Sequence, residues 1–110
     1  MNLQQESQNG VVIVTPNGRL DISSAKLVED SLIGIIDRGH TRLVLDLSQL
    51  DYISSAGLRT LLVVAKRVEA AKGKIALAAL KPNVREVLEV GGFDRIFAIH
   101  PDRAAAQAAV

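Results

Sequence analysis

The stretch Leu43–Leu80, "LVLDLSQLDYISSAGLRTLLVVAKRVEAAKGKIALAAL", decides the fold, because it passes from a strand through a short polar loop into a helix and back to a strand. In "RLVLDLSQL", Leu43, Leu45 and Leu47 alternate with Val44 and Asp46. Apolar residues on both faces predict a central strand covered by helices. From Ala56 to about Lys72 the apolar set Leu58, Leu61, Leu62, Ala65 and Val68 recurs at three and four, with Lys66, Arg67 and Glu69 elsewhere on the wheel. This predicts a long helix ending at Gly73. "KIALAAL" (Lys74–Leu80) reads as another buried strand. Between strand and helix lies "DYISSAGLR", Asp51–Arg59, two serines and a glycine at the sheet edge where ligands of α/β proteins usually meet the chain.

Working toward the start, "DISSAKLVEDSLIGIIDRG" places Ala25, Val28, Leu32 and Ile35/Ile36 at helical spacing. Ser23 or Ser24 is the candidate N-cap and Gly39 the terminator, giving a helix from about 24 to 38. "VVIVT" (Val11–Thr15) is a short β-branched run, and Pro16-Asn17-Gly18 after it predicts a turn feeding a second extended piece around "RLD". "QQESQN" (Gln4–Asn9) reads equally as strand or frayed tail. Toward the end, "PNVREVLEVGG" predicts a short helix with Val84, Val87 and Leu88 on one face, "IFAIH" a short edge strand, and "DRAAAQAAV" a terminal helix begun by Asp102. The alternation predicts an α/β fold over residues 1–110, one domain, with a mixed, mostly parallel sheet of four to five strands and about four helices.

Composition narrows the function. The 110 residues are 48% apolar and 23% charged with a net charge of +1, and the basic residues form no run, which argues against a nucleic-acid footprint. Three aromatics, Tyr52, Phe93 and Phe97, offer no stacking platform. The absence of cysteine excludes disulfides and thiolate chemistry, and no run reaches the ~20 apolar residues of a membrane span. The polar start has neither the basic nor the apolar region of a signal peptide, so a soluble cytoplasmic protein without membrane insertion is expected.

The serine loop fits no catalytic motif. A nucleophile elbow needs glycine where Ile53 stands, and the phosphate-binding pattern GxxxxGK[ST] is absent. Neither His40 nor His100 is brought to Ser55 by any pattern, and no metal-ligand spacing occurs. The expectation is a non-enzyme with no metal or cofactor. Either serine can be the N-cap of the following helix, a role contributing about 1 kcal/mol.

The Leu43–Leu80 stretch resembles the central segment of a STAS domain. "NGRLDISSAKLVEDSL" is similar to that family's hairpin strand and first helix, and "KPNVREVLEVGGFDRIFAIHPDRAAAQAAV" to its closing helix, glycine turn and terminal helix. The size resembles the free-standing anti-sigma factor antagonists of bacteria. That resemblance implies partner switching: the antagonist binds an anti-sigma factor that is a serine kinase of the GHKL type, phosphorylation of a serine at the helix start ends the binding, and a serine phosphatase restores it. The family's commonest motif, Asp-Ser-Ser/Thr-Gly-Leu-Gly, aligned on Gly57-Leu58, puts Ala56 at the usual acceptor and Arg59 at the last glycine. The "SSAGLR" version makes Ser55 the natural acceptor, with Ser54 second. Site neighbours implied for partner binding are Asp21, Asp46, Tyr52, Ile53, Ala56, Gly57 and Arg59. Asp21 and Asp46 could flank the serine loop, or could instead cap the first helix and accept loop amides. The expected state is a monomer or weak dimer; the alternative is a non-phosphorylated STAS docking subunit of a transport complex or sensory scaffold.

Overall fold

Asn9 and Gly10, with φ of 53° and 80°, both adopt the left-handed conformation that closes a tight hairpin. In the computed structural model, which describes residues 1–110, they join strands β1 (Asn2–Gln8) and β2 (Val11–Leu20) in antiparallel register, Gln8 opposite Val11 and Asn2 opposite Asn17. The hairpin is therefore made by Asn9-Gly10, and Pro16-Asn17-Gly18, expected to turn, runs on inside β2. The reason lies in the partners of β2. Val12–Val14 pair with β3 (Arg42–Asp46), while Gly18–Leu20 pair with β4 (Leu50–Ile53). Pro16 falls between these two parallel ladders, and a register shift at Gly18/Arg19 re-aims the strand from one to the other.

Helix α1 (Ala25–Asp37) connects β2 to β3, and α2 (Ser55–Ala70) connects β4 to β5 (Lys74–Ala78). Helix α3 (Pro82–Val90) and a single 3-10 turn (Phe93–Arg95) lead to β6 (Ala98–His100), and α4 (Arg103–Ala109) follows. The sheet order is β1-β2-β3-β5-β6 with β4 beside β2; only the β1–β2 pair is antiparallel. The mixed, mostly parallel sheet and four helices agree with expectation. The sixth strand is β4, which the sequence hides because the run after Leu43 breaks at Asp46 and resumes at Leu50.

The alternation in β3 is realised. Leu43, Leu45 and Leu47 join the main core beneath α1, α2 and α3, together with Val28, Leu32, Ile35 and Ile36 of α1 and Val84 and Leu88 of α3. Each such side chain contributes about 1.5 to 3 kcal/mol on burial. On the other face Val11, Ile13, Val44, Ala76 and Ala78 meet Ala106 of α4. The alanines there let a short Ala-rich helix lie close. The buried stripe of α2 is Gly57, Thr60, Leu61, Val64 and Val68, whereas Leu58 and Ala65 pack only at the margin. That rotation from the expected Leu58-Leu62 face follows from Gly57, which brings the first turn against β2.

Candidate functional site

The serine loop stands where β2 and β4 end side by side. Ile53, fully buried, anchors the end of β4 in the core. One residue on, the Ser54 amide donates to the Leu20 carbonyl at 3.0 Å and extends the β2–β4 pairing by a step. Ser54 is extended (φ −99°, ψ 177°), and its hydroxyl accepts from the Gly57 amide at 3.3 Å. This makes Ser54 the N-cap of α2 and leaves Ser55 as its first helical residue. The Ser55 side chain is exposed and takes part in no hydrogen bond within the chain. The two serines, interchangeable in the sequence, are thus divided: one is structural and the other is free.

Gly57 is required by close packing. A Cβ at this position would lie 2.7 Å from the Leu20 carbonyl oxygen and 2.8 Å from side-chain carbons of Leu20 and Ile53. Ala56 is half-buried beside it, and Arg59 projects into solvent one turn along. Next to the loop, the Arg19 guanidinium lies over the Tyr52 ring at 4.1 Å from its centroid, and Arg19 Nε is 3.6 Å from Asp21 Oδ2. Asp21 Oδ1 also accepts from the Ser23 hydroxyl at 2.6 Å and the Ser23 amide at 3.0 Å. The Ser23 hydroxyl and amide, with help from Arg19 and against a desolvation effect of opposite sign, hold the Asp21 carboxyl below the usual range. Asp21 therefore shapes the turn ahead of α1. Ser24, the N-cap position of that helix, makes no side-chain cap bond; its hydroxyl donates to the Arg19 carbonyl at 2.7 Å.

Asp46 belongs elsewhere. It shares the Val44 face of β3, is 6% exposed, and accepts from Arg103 Nε at 2.6 Å and from the Ser48 amide at 3.0 Å. Arg103 donates further to Glu6 Oε2 at 2.8 Å and Thr15 Oγ1 at 3.0 Å, so one guanidinium ties α4 to β1, β2 and β3. The bonds of Asp46 go to this tie and to its own turn, and none to the serine loop. Desolvation pushes the Asp46 carboxyl up, but hydrogen bonds from Arg103 and Ser48 outweigh it and hold the group below the usual carboxylate range.

Two grooves meet at Ser55. The first, open and of about 660 Å³, runs between α1 and α2 and is lined by Ile22, Lys26, Glu29, Ser55, Arg59 and Val63 among others. The second, between α2 and α3, is lined by Ser55, Leu58, Glu86, Val87, Val90 and Gly91. Ile22 and Val90, each 84% exposed, stand on either side of the serine. Neither was singled out by the sequence, since an apolar residue at a helix end looks the same whether it is covered or bare. The N-terminus of α3 is fastened to the loop by Lys81, which donates to the Asp51 carboxylate, and by Asn83 Nδ2, 2.8 Å from the Asp51 carbonyl oxygen. No helix is long and apolar enough to cross a membrane.

Comparison with known proteins gives a consistent pattern. Residues 2–106 match the STAS domain family. Over 109 residues the chain is 44% identical to BtrV of Bordetella bronchiseptica, assigned as an anti-sigma factor antagonist, covering 99% of this chain and 94% of that protein. It is 31% identical to the anti-sigma F factor antagonist of Paenibacillus polymyxa, covering 91% and 88% of the two chains. The crystal structure of an anti-sigma factor antagonist from Mycobacterium paratuberculosis superposes with a TM-score of 0.90 at 26% identity, over 99% of this chain and 92% of the other.

Proposed function

The chain belongs to the STAS domain family, and from that premise we propose that it is an anti-sigma factor antagonist that docks on an anti-sigma factor through the surface around Ser55. In this reading it is a cytoplasmic binding protein that performs no catalysis, and Ser55 is where its binding is switched. The observation that carries the reading is the division of the two serines. Ser54 is occupied as the cap of α2, while Ser55 is exposed, unbonded and flanked by bare Ile22 and Val90. A hydroxyl so placed can enter a kinase site without disturbing the helix.

The anti-sigma factor would itself be the GHKL-type serine kinase. It transfers the γ-phosphoryl group of ATP to Ser55 Oγ, a base of the kinase takes the hydroxyl proton, and ADP leaves. A serine phosphatase later hydrolyses the phosphoserine with water, which returns the Ser55 hydroxyl and releases inorganic phosphate. Phosphate adds about −1.5 to −2 charge, which the positive end of α2 tolerates within the chain. An apolar or acidic partner surface does not tolerate it. A penalty of ~3 kcal/mol at the interface lowers affinity by more than a hundredfold.

The test is to incubate the chain with candidate GHKL-type serine kinases of its host and ATP, localise added phosphate by peptide mass spectrometry, and measure anti-sigma factor binding before and after. Phosphate on Ser55, absent in Ser55→Ala and accompanied by loss of binding, is the expected result. An active kinase that leaves Ser54 and Ser55 unmodified overturns the switch and favours a permanent docking subunit.

A further inference from the structure

Arg59 is four residues after Ser55 on α2, and both side chains line the groove between α1 and α2. Residues at this spacing are neighbours on a helix surface, and long helical side chains lean toward the N-terminus, so Ser55 lies within the range that the Arg59 guanidinium can sweep. Arg59 is exposed and has no carboxylate within ion-pair distance. Lys26, across the groove on α1, is held by Asp30 at 3.0 Å. The groove's remaining charge is Glu29, on α1; Glu86 of α3 lies in the second groove. Arg59 is thus the uncommitted cation nearest along the helix to the exposed hydroxyl.

We propose that Arg59 is the intramolecular receptor for phosphate on Ser55, a pairing that rests on the reading of Ser55 as the acceptor. The guanidinium donates to the phosphate oxygens as a charge-assisted pair within one helical turn. Phosphorylation then changes two groups at once: it adds a dianion and withdraws a free arginine that unmodified protein presents to its partner. With Lys26 held by Asp30, the groove passes from a balance of Arg59 against Glu29 to net negative.

The pairing is tested on the full chain carrying phosphoserine installed at position 55 during translation, so that no kinase is needed. The second ionisation of the phosphate is titrated by phosphorus NMR in the parent, Arg59→Gln, Arg59→Lys and Lys26→Gln backgrounds. Arg59→Gln is expected to raise that pKa by roughly 0.5 unit, with Arg59→Lys recovering at least part of the difference. The Arg59 Nε–H resonance is expected to move downfield on phosphorylation. An unchanged pKa in Arg59→Gln, or a rise confined to Lys26→Gln, overturns the assignment. Failure of a kinase to modify Ser55 would instead sink the switch and leave this pairing standing as chemistry of the installed group.

Discussion

The Leu20 carbonyl oxygen and the α-carbon of Gly57 approach so closely that a methyl group on Gly57 would sit 2.7 Å from that oxygen. The contact is helix backbone against strand backbone, and neither can swing aside. Gly57→Ala is therefore expected to destabilise the fold by about 1 to 3 kcal/mol and to displace the start of α2. Gly34, inside α1, meets only the tip of Arg38 at 3.4 Å. Gly34→Ala is expected to stabilise by about 0.5 to 1 kcal/mol through the unfolded chain. Urea denaturation of the two variants checks the opposite signs; equal effects would refute the packing argument.

The Asp46–Arg103 pair predicts an acid dependence. A carboxyl whose folded pKa lies below its unfolded value of about 3.9 supplies stability that is present above that value and lost as pH falls through the folded pKa. Arg103→Gln should cost about 2 kcal/mol at neutral pH by leaving buried Asp46 without its cation. The gap between parent and variant should narrow as pH is taken below about 4. Urea midpoints across that range decide it, and a gap independent of pH would count against the pair.

The serines separate stability from switching. Ser54→Ala removes the cap and should cost about 1 kcal/mol. Ser55→Ala should leave stability within about 0.5 kcal/mol of the parent. Thermal unfolding of both, run beside a kinase assay, checks the division; a larger loss for Ser55→Ala would reverse the roles.

Ile22 and Val90 are predicted to act at the partner surface. Replacing either by serine removes apolar area that is bare in the free chain, so the melting temperature should hold while affinity for the anti-sigma factor falls by about tenfold or more. Titration calorimetry with the purified partner reads this directly. Unchanged affinity in both variants would move the interface away from Ser55.

Much of the architecture was legible because apolar period is a local signal: Leu43-Leu45-Leu47, the α1 stripe and the Ala-rich α4 all took their expected form. What escaped depends on residues distant in sequence. Pro16-Asn17-Gly18 carries strong turn chemistry, yet antiparallel β1 pairs with Pro16 and Asn17 and parallel β4 with Gly18, which holds the segment extended, and the reversal fell to Asn9-Gly10. The strand-to-helix junction at the serines was legible, and Tyr52, Ile53, Ala56, Gly57 and Arg59 lie along it in sequence, with Asp21 following the β2 residue that pairs with Ile53. Asp46 took the loop-amide role, accepting from the Ser48 amide, and what the sequence did not carry is its partner Arg103, 57 positions away. Which serine caps was set by the backbone of Ser54, a distinction that two adjacent identical residues do not carry.

Arg103 also orders events in time. A ribosome adds it after Glu6, Thr15 and Asp46, the three side chains it holds. While those strands emerge, the Asp46 carboxylate has no arginine to meet and the α4 face of the sheet lies open to whatever is nearby. Vectorial synthesis thus leaves the nascent chain with an uncovered apolar flank and an unmated buried charge until α4 arrives, the interval in which a chaperone would find the most to bind.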